Sequence, residues 1–235
     1  MQTHTYKEMH ALEDTHFWFV GKRLFIQKAL ENLPKKQNNI LDVGIGTGGT
    51  TLFLLRYGKV VGLEAQPQAI TLARKRGLRV VHGTANSLPF PKESFDMVTF
   101  FDVLYHKGID EKRALSEAFR VLKPKGVLCI TDCAYPWLWS KHDVIMEAKY
   151  RYTKTKLSTF VLQAGFRIER CEYIFTSIFL FFICSRLFHP SPHKLTRLPL
   201  FFNNLLVLLL RSEALLPWKF PRPFGSSILI LAHKL

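Results

Sequence analysis

Apolar positions fall in two rhythms along this chain. Short, nearly continuous apolar runs, such as Val60-Val61-Gly62-Leu63 and Met97-Val98-Thr99-Phe100-Phe101, alternate with segments whose apolar residues recur every three or four positions. The first rhythm predicts buried strands, the second helices packed against them. Over 39–133 the pattern predicts strands at 39–43, 59–64, 79–82, 95–101 and 126–132. Between them it predicts helices at 48–57, from Pro67 to Arg76, and at 111–122, the last stopped by Pro124. Such alternation implies a parallel, doubly wound α/β sheet. A helix at 153–165 ending at Gly165, an alternating strand at 166–173 and a final strand at 227–232 complete the core.

Two stretches stand outside this frame. Residues 4–33 read as two helices, the second carrying Leu24, Ile26, Ala29, Leu30 and Leu33 before Pro34 ends it. About fifty residues separate the last two strands, far more than a hairpin needs. Within that gap 174–184 and 198–210 are strongly apolar, and Arg186, Lys194, Arg197, Arg211, Lys219 and Arg222 flank them. Each run is too short for a comfortable membrane span. Two readings stay open: helices packed into the core, or helices lying in a membrane interface with basic flanks toward anionic headgroups.

The segment Leu41-Asp42-Val43-Gly44-Ile45-Gly46-Thr47-Gly48-Gly49 joins the first strand to the first core helix. Glycines there permit left-handed backbone and close approach of a ligand, and a helix start supplies free N–H groups. Gly44-x-Gly46-x-x-Gly49 fits a dinucleotide fingerprint, with Glu64 ending the next strand where a ribose-binding acid belongs. Asp42 changes that reading. A carboxylate two residues before the first glycine would repel a pyrophosphate, whereas it would favour S-adenosylmethionine (SAM), which carries a sulfonium and an ammonium.

With Val61-Gly62-Leu63-Glu64, Ala85-Asn86-Ser87-Leu88-Pro89-Phe90, Phe95-Asp96-Met97-Val98 and Arg120-Val121-Leu122-Lys123-Pro124-Lys125-Gly126, the glycine segment resembles the class I SAM-dependent methyltransferases of the type 11 group. The resemblance covers roughly 38–174 and the last strand. It implies a Rossmann-like seven-stranded sheet whose last strand runs antiparallel, with SAM as cofactor. The chain then divides into an N-terminal helical lid (1–37), a SAM-binding core (38–174), an apolar helical insertion (175–225) and a final strand (226–235), all in one domain. Glu13, His16, Trp18, Phe19 and Arg23 resemble an N-terminal element that caps the cofactor cleft in this group; plain core packing of the aromatics is the alternative.

In a doubly wound sheet the ligand lies outside the carboxyl ends of the strands. Asp42, Gly44, Gly46 and Gly48 are expected to hold the methionine part, Glu64 the ribose hydroxyls, and Ala65, Ala85 and Asn86 the adenine. Asn86 stands where the family more often has an acid. Phe101 and Asp102 would close the site under the sulfonium. His106 is frequent in the group at the mouth of the cleft, where it is a base or a structural hydrogen-bonder. His142, Asp143, Arg151, Tyr152 and Thr153 match a submotif in which a His-Asp pair precedes His-x-Arg-Arg-Tyr-Thr, but Ala148 replaces its second histidine and Tyr150 an arginine. His142 with Asp143 is then the remaining catalytic candidate. Trp18, Arg151 and Tyr152 are the acceptor-binding candidates, with an Asp143–Arg151 salt bridge ordering the loop as the alternative.

Composition adds three things. Hydrophobic residues make up 48% of the 235, enough to bury a sizeable core. A net charge of +15 suggests an anionic membrane surface, an acidic substrate or nucleic acid. The four cysteines, Cys129, Cys133, Cys171 and Cys184, lack metal-ligand spacing and read as small buried hydrophobes in a reducing compartment. No apolar signal-peptide core opens the chain, so the cytoplasm is expected, either alone or with peripheral membrane attachment. The combined expectation is methyl transfer, at oxygen, to a small-molecule or lipid- or glycan-linked acceptor. The rivals are an RNA methyltransferase, a non-catalytic SAM-binding scaffold and an NAD-dependent oxidoreductase. Scattered basic residues and no appended RNA-binding module weigh against the first, and Asp42 against the last.

Overall fold

The apolar runs become one seven-stranded sheet in a computed structural model that describes residues 3–33, 38–188, 198–217, 220 and 222–235. Two helices come first, α1 (Thr3–Leu12) and α2 (Phe17–Leu30). Then β1 (Asn38–Val43), α3 (Gly49–Leu54), β2 (Gly58–Glu64), α4 (Pro67–Lys75) and β3 (Val80–His82) alternate. Next come β4 (Phe95–Phe101), α5 (Glu111–Val121), β5 (Leu122–Cys133), the short α6 (Lys141–Ile145) and α7 (Lys154–Gln163). The chain closes with β6 (Phe166–Ile174), α8 (Phe179–Phe188), α9 (Leu200–Leu215) and β7 (Ser227–Lys234).

The strand order is β3-β2-β1-β4-β5-β7-β6. Neighbours from β3 through β5 are parallel, and β7 is antiparallel to both β5 and β6. The expected Rossmann-like sheet with an antiparallel last strand is therefore present. Its central strands are buried on both faces, which is why they read as unbroken apolar runs: Ile40, Leu41, Val98, Phe100, Leu128, Cys129 and Ile130 are all fully buried. Strand order reverses between β1 and β4, and that reversal opens a crevice at their carboxyl ends.

Local chemistry sets the helix ends. Asp110 accepts from Lys112 N and Arg113 N to start α5, and Thr153 accepts from Lys156 N to start α7. Gly165, with φ +93°, takes the left-handed turn after α7. One boundary moves. β5 begins at Leu122 instead of Gly126, because Leu122 pairs with Phe95 ahead of Pro124. The register then shifts between Phe95 and Met97, as a residue without an N–H interrupts the ladder. Cys184 also departs from expectation, being exposed on α8, whereas Cys129 is buried. Pro34, Lys194, Arg197 and Lys219 lie outside the described residues, as does the side chain of Arg186.

The insertion packs against α2 through an inverted helix. On α9 the buried face includes Asn203 and Glu213 beside Leu206, Leu210 and Ala214, while Phe201, Phe202, Leu205, Leu208 and Leu209 are exposed. Asn203 Oδ1 accepts from Phe17 N at 2.8 Å and its Nδ2 donates to Thr15 O at 3.0 Å. Glu213 accepts from Thr176 N at 2.9 Å, Ser177 N at 2.8 Å and Ser177 Oγ at 2.6 Å. Gly21 lets α2 and α9 approach: a Cβ there would sit 2.5 Å from Leu210 Cδ1 and 2.9 Å from Phe175 Cε1. The insertion thus packs one face of α9 into the core, and its other face is outward and largely apolar. Glu213→Ala strands two backbone donors and is expected to cost about 3 kcal/mol of stability, read by chemical denaturation.

Candidate functional site

The glycine turn sits at the carboxyl end of β1, and one buried acid braces it. Asp42 is 2% exposed. It accepts from Thr99 Oγ1 at 2.6 Å and Thr51 Oγ1 at 2.7 Å, joining β1 to β4 and α3. Burial raises its pKa to about 6, against the pull of both hydroxyls. Each carboxylate oxygen accepts one hydroxyl, and together the two bonds fix the turn. Gly44 (φ +73°) and Gly46 (φ +55°) line the cavity. Gly48 (φ +90°) does not: a Cβ there would meet Leu78 Cδ1 at 2.4 Å and Ala73 Cβ of α4 at 3.3 Å, so its missing side chain serves packing.

Glu64, at the end of β2, accepts from Gly46 N at 2.8 Å, Ala65 N at 2.9 Å and Gln66 N at 2.9 Å. Burial raises its pKa while those three bonds lower it. Three acceptor positions of the carboxylate are used, which leaves room for one further donor and not for two. Ala65 and Ala85 line the cavity beside it. Asn86 lines it too, but its Nδ2 donates to Gly108 O at 2.7 Å and its Oδ1 accepts from Asp110 N at 2.9 Å. That side chain braces the loop before α5.

The N-terminal helices are pinned to the glycine turn by Glu13, which is 4% exposed. It accepts from Thr47 Oγ1 at 2.6 Å, pairs with Arg76 at 2.9 Å and also takes the N–H of Gly49. A Cβ on Gly49 would lie 2.5 Å from Glu13 Cδ, so glycine is required. The helix start expected to offer a free N–H is therefore held by the chain's own carboxylate. Arg23 donates to Glu13 O at 2.7 Å. Trp18 lines the cavity and stacks on Phe175 at 4.5 Å and on Phe182 at 5.7 Å, joining α2 to the insertion.

At the far end Phe101 and Asp102 line the cavity, and Asp102 holds a left-handed φ of +57°. Its carboxylate contacts Lys22 of α2, which is 3% exposed. Sequence reasoning missed Lys22; the available signal was a lysine one helical turn from Trp18, following the apolar run Phe17-Trp18-Phe19-Val20. His106 lines the cavity with its ring bonded to the backbone of Met146 and Glu147, and burial pushes its pKa down to about 4. His142, on α6, also lines the cavity.

Asp143 and Arg151 are brought together. Arg151 Nε donates to Asp143 at 2.8 Å and its Nη1 to Ala134 O at 3.1 Å, while Asp143 also accepts from Ser140 N at 2.9 Å. Both side chains are buried, so this pair orders the loop after β5. Tyr152 is the clear correction among the acceptor-binding candidates. It is 0% exposed, lies outside the cavity wall and donates to Glu111 Oε1 at 2.8 Å.

These residues surround a cavity of about 920 Å³. That is near the upper end of the range of about 300–1,000 Å³ found for ligand pockets. The residues fit SAM on three grounds. Gly44 and Gly46 allow close backbone approach, the carboxylates of Asp42 and Glu64 suit a cation and one ribose hydroxyl, and Asp102 Oδ1 is buried without a hydrogen-bond partner among the described residues. Among those residues no cluster suited to a metal ion occurs.

Comparison with known proteins agrees with this geometry. Residues 41–130 match the family model described as a methyltransferase domain. An uncharacterized methyltransferase of Synechocystis sp. is 32% identical over 64% of this chain and 77% of its own length. The chloroplastic 2-methyl-6-phytyl-1,4-hydroquinone methyltransferase 1 of Oryza sativa is 34% identical over 43% of this chain, but over only 32% of that protein. A SAM-dependent methyltransferase structure from Thermotoga maritima superposes with a TM-score of 0.63 at 22% identity, covering 99% of this chain and 100% of that one. Glu64→Ala is expected to weaken SAM binding roughly 10- to 100-fold, the worth of one charged hydrogen bond. Calorimetry checks this, and unchanged affinity would confine Glu64 to the turn.

Proposed function

This chain belongs to the class I SAM-dependent methyltransferases, and from that premise we propose that it methylates an oxygen of an amphipathic, lipid-linked acceptor presented at an anionic membrane surface. The observation that carries the acceptor class is the outward face of α9. A helix of a water-soluble surface turns its polar side chains out, and here Asn203 and Glu213 point in while Phe201 (73% exposed) and Leu208 (59%) point out. Trp137 and Trp139 add exposed aromatics after β5, and Trp139 also lines the cavity. Phe181, Phe182 and Leu198 continue the apolar insertion into the cavity wall. An acceptor with an apolar tail could pass from one to the other without entering water.

No described helix is long and apolar enough to cross a membrane. The 16 residues of α9 span ~24 Å against a hydrocarbon core of about 30 Å, a length suited to lying along the interface. Exposed Arg211 and the net charge of +15 favour anionic headgroups. The free cysteines agree with docking from the cytoplasmic side. A relative named for a phytylated hydroquinone supports a lipid-like acceptor.

When bound, SAM supplies an activated methyl group on a good leaving group, so the protein's work is positioning. The glycine turn and Glu64 would hold the cofactor, while the lid and insertion exclude water. A hydroxyl acceptor also has to lose a proton. His106 stays neutral across the physiological range, and its ring is engaged with backbone. His142 faces the cavity: His142→Ala is expected to lower kcat while leaving SAM affinity unchanged, if that side orients the acceptor.

The membrane reading is tested with the double variant Phe201→Asp/Leu208→Asp, which alters only exposed side chains. Each buried side chain of this size is worth about 1.5–3 kcal/mol, so partition onto phosphatidylglycerol-containing vesicles should fall at least ~100-fold. Thermal stability and SAM affinity should hold, and turnover of an isoprenoid phenol in those vesicles should fall in parallel. Undiminished vesicle binding would sink the reading.

A further inference from the structure

Lys22 sits where a cation is least expected. Its ammonium contacts Asp102 at the carboxyl end of β4 and lies 5.4 Å from the Trp18 ring, inside the cavity that receives a sulfonium. A purely structural ion pair would have both partners fully bonded. Here Asp102 Oδ1 is buried without a hydrogen-bond partner among the described residues, and Asp102 carries left-handed backbone strain. The other groups facing Lys22 are Asp132 and Cys133, from the end of β5. Burial pushes the Lys22 pKa down to about 8, with Cys133 and Asp132 acting in the other direction. A second cation entering the cavity disfavours the ammonium further.

We infer that Lys22 is the proton acceptor of the transfer step, losing its own proton as SAM enters and taking the acceptor's proton as the methyl group moves. The proposal rests on the hydroxyl acceptor argued above. The step balances. The acceptor O–H bond breaks and its proton goes to the Nζ lone pair, while the O–CH₃ bond forms from the oxygen pair. The S–CH₃ bond breaks with its electrons staying on sulfur, leaving neutral S-adenosylhomocysteine (SAH). One positive charge passes from sulfur to Nζ, beside the Asp102 carboxylate that stabilises it. Lys22 ends as the ammonium, and the next sulfonium displaces that proton in turn.

The test compares SAM with SAH, which differ in the sulfonium charge. Calorimetric titrations are run in buffers of different ionisation enthalpy at about pH 8, where Lys22, with a pKa of about 8, is half ammonium in the free protein and Asp132, raised by burial to about 7, is already largely ionised. The whole chain should release a substantial fraction of a proton more on binding SAM than on binding SAH. Lys22→Arg, which keeps the charge but does not titrate, should abolish that difference and weaken SAM relative to SAH several-fold. Lys22→Met should also abolish it, without weakening SAM. In turnover, the wild-type kcat should rise with pH through the Lys22 titration. Lys22→Arg should lose that rise and about 100-fold or more in kcat, with KM little changed. Equal proton release by the two ligands, or a difference that survives in Lys22→Arg, overturns the proposal. A difference that stands while no hydroxyl compound is methylated overturns the acceptor reading and, with it, the base role of Lys22.

Discussion

The carboxylate of Asp42 receives the hydroxyls of Thr99 and Thr51 at the point where strand order reverses. Those two bonds tie β1, β4 and α3 into one rigid corner, and the glycine turn hangs from it. Such a buried acid is costly unless hydrogen-bonded, and even with both bonds its pKa stands near 6. A cation entering beside it favours the ionised form. The corner is therefore stable on its own yet electrostatically suited to a positively charged ligand. Glu13 repeats the device from the lid, crossing to Thr47, Gly49 and Arg76, so the turn is clamped from two sides.

The insertion solves a different problem. A segment as apolar as 198–210 could have been swallowed whole by the core, but α9 docks through one face only, where Asn203 and Glu213 sit beside Leu206, Leu210 and Ala214. Asn203 caps the start of α2 and Glu213 caps the turn at Thr176 and Ser177, both by bonding buried backbone groups that would otherwise lack partners. Asn203 and Glu213 are turned inward where geometry demands hydrogen bonds, while Phe201, Phe202, Leu205, Leu208 and Leu209 face out beside Asn204, Arg211 and Ser212. The same arrangement that anchors the helix thus creates the surface on which the proposed acceptor would arrive. Trp18, stacked on Phe175 and Phe182, links that surface to the cofactor end.

Lys22 and Asp102 join these two halves. They lie where the lid helix meets the end of β4, inside a cavity otherwise arranged for a cation. A lysine in that place is electrostatically at odds with the cofactor, unless its proton is meant to move.

The order of strands and helices, the glycine turn, the cofactor and the acid at the end of β2 were all legible in the sequence, because each rests on local periodicity or on a short motif whose residues act together. What only the tertiary structure decided concerns contacts between residues far apart in the chain. Gly48 and Tyr152 belong to motifs that suggest ligand contact, yet one packs on Leu78 and the other is sealed against Glu111. Asn86 and Asp143 have their polar groups engaged by Gly108 and Asp110, and by Ser140 and Arg151. Lys22 carries no motif at all and gains meaning from Asp102, eighty positions away in sequence. The two faces of α9 could not be told apart by hydropathy, since both are apolar by composition. Which face is buried follows from where Phe17, Thr176 and Ser177 leave backbone donors to be met, and periodicity carries no record of a partner's unmet hydrogen bonds.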